Sequence, residues 1–207
     1  MLKTLEIEVR VAPKKLSRAS LTALENVGRF DWILFTSKHA VTFFTKELRL
    51  RNVKLARTTR IAAVGPETAA ALRAAGLTVQ LIPERFTVRD MVFALGRVKG
   101  LRILFPRSAV APQEPIQILR AQGARVRVVP LYIPIPIALS QATKHALVTS
   151  SYTTLSFKSP SGIQGFMRQL NTAEKKIVRE IPVVCIGPTT ARAARKAGFR
   201  HVSYAVL

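Results

Sequence analysis

A Gly-Pro-x-Thr motif occurs twice, in VGPETAAALRAAGL at residues 64–77 and in IGPTTARAARKAGF at residues 186–199, with eight of fourteen positions identical. The chemistry this pattern can do is anion binding. Proline at the first position of a helix gives up a backbone N–H that has no intrahelical partner, and its fixed φ suits the helix. The remaining free N–H groups of that turn, with the helix dipole behind them, favour a negative charge in front. Gly65 and Gly187 mark the two starts, and Thr68, Thr189 and Thr190 can add hydroxyl donors. The plainer alternative is that Gly-Pro merely begins a helix.

Other chemistry finds little support. GxSxG, HExxH, P-loop and GxGxxG patterns are absent from the sequence. His39, His145 and His201 are scattered without ligand spacing, and His39 reads as a surface residue. Asp and Glu total 11, too few to favour paired-carboxylate catalysis. The single cysteine, Cys185, sits in the apolar run PVVCI and reads as a buried packing residue in a reducing, intracellular setting. What remains is a site of backbone amides, hydroxyls and basic side chains.

The elements that position these groups repeat as well. FTSKHAV precedes the first cassette and FKSPSGI the second. Ser37 stands 28 residues before Gly65, and Ser159 stands 28 before Gly187. In that register Phe35 falls on Phe157, Val41 on Ile163 and Phe44 on Phe166. Each unit predicts a buried strand (32–35; 155–157), a Ser-containing turn and a helix with apolar residues at helical spacing. A second strand (61–64; 183–186), the Gly-Pro helix and a third strand-like run (77–82; 199–204) follow. Gly76 and Gly198 stand where helix-ending glycines belong. Strand, helix, strand, helix, strand is a parallel α/β unit, whose ligands gather at the C-terminal strand ends. Residues 87–98 predict a further helix, 101–105 a strand, 113–122 a helix and 125–129 a strand. The proline-rich PLYIPIPI predicts an extended linker, and LEIEVRVAP an opposing one. The expected division is an N-terminal linker strand 1–13, a middle domain 14–129, a linker 130–137 and a second, partial α/β domain 138–207.

The 207 residues hold 33 Lys and Arg, giving a net charge of +22. Such a charge suits a polyanion or an acidic small molecule. The densest stretch, residues 46–60, carries Lys46, Arg49, Arg51, Lys54, Arg57 and Arg60 among leucines and a valine, with no aromatic residue to stack on bases. Nucleic acid is therefore not the expected partner. No apolar run approaches membrane-spanning length, and the N-terminus lacks a signal-peptide pattern.

FTSKHAV, AAVGPETAAALRAAGL, ILFPRS, GARVRVVPLY, FKSPSGI and CIGPTTARAARKAGF, in this order, resemble the uroporphyrinogen-III synthase family. The resemblance runs from about residue 5 to 204. It implies two flavodoxin- or Rossmann-like α/β domains joined by a two-stranded linker, with the linear tetrapyrrole hydroxymethylbilane in the cleft between them. The implied reaction closes the macrocycle with loss of water and inversion of ring D, without metal or cofactor. The substrate's eight carboxylates match the demand for a multivalent anion. The family's tyrosine falls on Tyr132, the candidate proton donor. The family's cleft serines and threonines fall on Ser37, Ser159, Thr68 and Thr190; Gly65, Gly187, Thr189 and Ser161 complete the candidate substrate-binding set, and Arg107, after a strand end, is placed to pair with a carboxylate. The resemblance also implies a cytoplasmic monomer, organellar if an N-terminal segment is missing, supplied by hydroxymethylbilane synthase.

The chain departs from the family pattern at both ends. The opening strand and helix and a closing helix are absent, so the terminal domain is expected to be incomplete. Lys158 replaces the usual residue before the serine, and the excess positive charge is not a family trait. The alternative reading is a degenerate, non-enzymatic member that binds nucleic acid or another polyanion through its basic surface.

Overall fold

Trp32–Phe35 is apolar at all four positions and buried at all four, as a strand covered on both faces requires. The computed structural model that shows this describes residues 3–56, 58–149 and 151–204. Arg57 of the basic stretch lies outside them. In chain order the elements are β1 (Thr4–Ile7), β2 (Val9–Pro13), α1 (Arg18–Glu25), β3 (Trp32–Phe35), α2 (Lys38–Leu50), β4 (Arg60–Ala63), α3 (Pro66–Ala74), α4 (Val88–Ala94) and β5 (Arg102–Ser108). They continue as α5 (Glu114–Ala121), β6 (Arg125–Pro136), α6 (Gln141–Val148), β7 (Thr154–Phe157), α7 (Pro160–Arg168), α8 (Thr172–Val178), β8 (Val183–Cys185), α9 (Pro188–Lys196) and β9 (Val202–Tyr204).

Two units result. Val11–Ile133 form one, and the described residues of Met1–Arg10 and Pro134–Leu207 form the other. The first unit is built on a five-stranded sheet in the order β2-β6-β5-β3-β4, with β4, β3, β5 and β6 mutually parallel. Helix α2 places Ala40, Val41, Phe44 and Leu48 against one face with Ile33 and Phe35. Met91, Val92, Ile116 and Leu119 cover Trp32, Leu34, Ile103 and Phe105 on the other face. Chain order runs outward from β3 in both directions, so the sheet's topological switch point lies between β3 and β5.

The second unit holds the parallel sheet β1-β7-β8-β9. Its core joins Leu155, Phe157, Ile163, Phe166, Val183 and Cys185. The repeat survives in three dimensions: Phe35 meets Phe44 edge-on at 5.2 Å and 74°, and Phe157 meets Phe166 at 5.5 Å and 75°. This sheet is covered unevenly. Val183 and Cys185 are each 1% exposed, whereas Val184 between them is 42% exposed. Cys185 is a free, buried cysteine.

Several elements differ from the sequence expectation. Residues 130–136 are the end of β6, which runs unbroken to Pro136, and the division between the two units falls within this stretch, between Ile133 and Pro134. Tyr132 O accepts from Ala109 N at 2.8 Å on the β5 side, and Leu131 O accepts from Lys14 N at 2.9 Å on the opposite side. Before the register shift at Arg107/Ser108 odd-numbered residues of β6 face β5, as Arg125 N donating to Leu101 O shows; beyond it the even-numbered residues do. Pro134 and Pro136 share that edge, beyond the last β5 residue, Ser108, where no donor is needed. The N-terminal stretch is two strands rather than one, with β1 pairing with β7 and β2 in the other sheet. Residues 77–82 form only an isolated bridge from Leu81 to Ala62. Helix α4 is shorter than predicted, stopping two residues before Gly96, which has φ +68°. Gly76 and Gly198 end α3 and α9 at φ +79° and +92°, as their position demands.

One close approach gives a stability test. A Cβ on Gly165 of α7 would lie 2.4 Å from Cγ of Pro136, a ring that cannot rotate away. Gly165→Ala is expected to be destabilising in urea unfolding. The clash costs about 1–3 kcal/mol, against at most about 1 kcal/mol regained in helix propensity. Gly187→Ala, where a Cβ meets nothing within 4 Å, should lose less than about 1 kcal/mol.

Candidate functional site

Beyond the C-terminal ends of β3 and β5 the first unit gathers the polar groups that the sequence singled out. Ser37 follows β3 and caps α2, its Oγ accepting from Ala40 N at 3.1 Å. The same Oγ lies 2.7 Å from the Tyr132 hydroxyl. Tyr132 reaches it because β6 continues past a register shift opposite Arg107 and Ser108. The tyrosine is buried, and its ring stacks on Phe43 at 5.5 Å and 14°. Burial pushes its pKa above the ordinary 10.0, against the opposing effects of the Ser37 hydrogen bond and the Arg107 charge.

Arg107 is 3% exposed. Its Nη2 donates to Pro112 O at 2.6 Å, and its guanidinium lies 4.9 Å from the Phe105 ring centre. Nη1 is enclosed and has no partner among the described residues. Burial lowers its pKa, and Tyr132 acts the other way.

The two Gly-Pro helix starts are not equivalent. At α3, Glu67 stands in the first turn and pairs with Lys38 at 2.6 Å, so an acid already occupies part of the dipole's reach. At α9 the first turn has no acid. Gly65 and Gly187 both have extended backbone (φ −173° and −175°) that any residue adopts. A Cβ on Gly65 would meet Phe86 at 3.2 Å, whereas the space around Gly187 is open. Thr68 and Thr190 are buried and Thr189 is exposed. In the second unit Ser159 caps α7 through Gly162 N at 3.2 Å, and its Oγ lies 3.0 Å from that of Ser161. Lys158 pairs with Glu6 at 3.0 Å, a bond that raises its pKa.

Ser37, Tyr132, Arg107, Gly65 and Thr68 thus belong to one unit, and Ser159, Ser161, Gly187, Thr189 and Thr190 to the other. Sequence reasoning missed Phe43 and undervalued His39, whose ring is 6.0 Å from that of Tyr132. Partial burial and Lys38 lower the His39 pKa. The signal available was a histidine and a phenylalanine four residues apart, off the apolar stripe of Val41, Phe44 and Leu48.

Tyr132 ionisation should also be legible in stability. Its folded pKa lies above the unfolded value near 10, so the contribution is complete below pH ~10 and is lost as pH rises through the folded pKa. Urea unfolding of the wild type should weaken above pH ~10 more steeply than that of Tyr132→Phe. Parallel slopes would contradict a buried phenol.

Two α/β units built on one repeated motif each carry a capping serine and a Gly-Pro helix start. A family model described as Uroporphyrinogen-III synthase HemD matches residues 4–206, and the chain belongs to that family. It is 29% identical over 199 residues to the porphyrin biosynthesis protein HemD of Ruminiclostridium josui, covering 94% of this chain and 39% of that protein, so it spans well under half of that relative's length. A putative uroporphyrinogen-III synthase of Methanothermobacter thermautotrophicus is 26% identical over 206 residues, covering 93% and 81%. Among solved structures, a mutant uroporphyrinogen III synthase of Thermus thermophilus superposes with TM-score 0.70 at 19% identity, covering 93% of this chain and 80% of that one. The Helicobacter pylori enzyme gives 0.59 at 17%, covering 100% and 93%. These two likenesses show the α/β fold. No described helix is long and apolar enough to cross a membrane.

Proposed function

We propose that this chain converts hydroxymethylbilane to uroporphyrinogen III, with loss of water and inversion of ring D. The observation that carries the reading is the buried Tyr132 hydroxyl, 2.7 Å from Ser37 Oγ at the mouth of the β3–β5 switch point. A phenol with a raised pKa stays protonated at neutral pH and can give its proton to the departing hydroxyl of the bilane. The C–O bond breaks, water leaves and a cationic azafulvene remains. Ring closure through a spiro intermediate then depends on how the chain is folded more than on further acid–base work. Loss of a proton in restoring the aromatic pyrrole returns the tyrosine to its starting state. Ser37 orients the phenol, and Phe43 fixes its ring.

The carboxylates fall to the other groups. The helix start at Gly187, with Thr189 and Thr190, is the stronger anion position because no acid shares its first turn. Gly65 and Thr68 provide the weaker one. Ser159, Ser161 and Arg107 complete the set. In this reading residues 14–129 and 138–207 are the two substrate-holding domains, and the enzyme is a cytoplasmic monomer supplied by hydroxymethylbilane synthase. Family membership favours this reading over the non-enzymatic alternative. The test is the isomer ratio formed from freshly generated hydroxymethylbilane, which closes to the type I isomer without catalysis. Type III product in proportion to protein supports the assignment. Type I product alone, from folded protein, refutes it.

A further inference from the structure

Six exposed arginines gather at the opposite end of the first unit's sheet. Arg18, Arg29, Arg102 and Arg127 line a cavity of about 760 Å³. Arg102 and Arg127, with Arg120 and Arg125, line a second of about 590 Å³. Phe30 is shared by both, so the two adjoin. This is the N-terminal edge of the parallel strands, where β5 and β6 begin. Arg102 lies five residues before Arg107 on β5, roughly 16 Å along the strand, so the groove is separate from the Tyr132 site.

The arrangement is costly without a ligand. Arg102 sits beside Arg125 in the register of β5 and β6, and Arg127 follows two residues on, on the same face. Like charges side by side in a sheet repel. Asp31 offsets only one of them, at 3.7 Å from Arg102. Among the described residues the other five have no acidic partner within ion-pair distance. All six cations are arginine, whose planar fork suits phosphate oxygens. Half-buried Phe30 adds an aromatic surface on which a base can stack, the feature missing from residues 46–60.

We propose that this groove binds single-stranded nucleic acid through its phosphate backbone, as a function separate from the synthase site. The two cavities share Phe30, Arg102 and Arg127, and the chain's net charge of +22 adds a long-range attraction for a polyanion. The test uses a fluorescein-labelled single-stranded RNA dodecamer and fluorescence anisotropy across a salt series. The wild type should bind with an affinity that falls steeply with salt. Replacing Arg29, Arg125 and Arg127 together with Gln should weaken binding about tenfold or more near 0.1 M salt and lower the log–log salt slope by about two. The same three charges removed at Lys144, Lys175 and Lys176 should change affinity less than about threefold. Type III synthesis and the unfolding midpoint of the arginine variant should be retained, since like-charge repulsion is being relieved. Equal losses in the two triple variants would overturn the proposal in favour of diffuse charge. Displacement of the RNA by tripolyphosphate at equal phosphate concentration would overturn it in favour of a small-anion site. Absence of RNA binding would end it.

Discussion

Tyr132→Phe should lower kcat for type III formation by about 10²–10⁴-fold, the usual worth of a positioned general acid, with KM nearly unchanged. Only one oxygen is removed. The ring remains on Phe43, and β6 keeps its bond from Ala109 N to Tyr132 O because that bond is backbone. Ser37 loses a partner at 2.7 Å but keeps its capping bond to Ala40 N, so the helix start should survive. A structural tyrosine would show the reverse, with lost stability and retained turnover. The pH profile separates the cases further. If the phenol is the donor, wild-type kcat should hold through neutral pH and fall only as pH passes the raised pKa, above about 10. In the phenylalanine variant that alkaline limb should disappear. A variant that retains full type III turnover would remove Tyr132 from the chemistry.

The paired cassettes made much of the fold legible, because a repeat with equal spacing constrains what each copy can be. Gly-Pro followed by alanines and a closing glycine leaves few options besides a helix with defined ends, and α3 and α9 have those ends. FTS and FKS were equally readable, since serine before an apolar helical stripe is a cap, and Ser37 and Ser159 cap α2 and α7. What escaped was decided by tertiary partners. The prolines of PLYIPIPI argue locally against a strand. The common parity of Pro134 and Pro136, which puts their missing donors on one edge, matters only once β5 is known to end at Ser108. Whether residues 77–82 become a strand depends on pairing with the edge strand β4, and only Leu81 achieves it. The difference between the two glycines was also hidden. Gly65 is explained by the approach of Phe86, and nothing in the sequence brings residue 86 there. Around Gly187 no atom of the described residues lies within 4 Å of an added Cβ. The contrast between Glu67 and Thr189 was on view from the start, but its meaning required the Lys38 pair and the shared first turn.

Arg107→Met should raise KM for the bilane about tenfold or more, the worth of one charge-assisted hydrogen bond to a carboxylate, and change stability by less than about 1 kcal/mol. From the sequence this arginine follows a strand end, placed to pair with a substrate carboxylate. The structure buries it, with Nη2 on Pro112 O and the guanidinium over the Phe105 ring. That burial admits two roles. A cation kept for the fold should have its donors satisfied, because an unpaired buried charge is expensive. Here Nη2 is satisfied and Nη1 has no acceptor among the described residues, which fits a group whose second acceptor arrives with the substrate. Methionine keeps the aliphatic stem over Phe105 and removes the uncompensated charge, so the desolvation relieved should roughly balance the lost bond to Pro112 O. Arg107→Lys separates the roles again. Lysine keeps a charge but cannot hold Pro112 O and a carboxylate in one planar fork, so its KM should rise as well. A large stability loss in both variants with unchanged KM would make Arg107 a fold residue and leave its orphan nitrogen to a buried water.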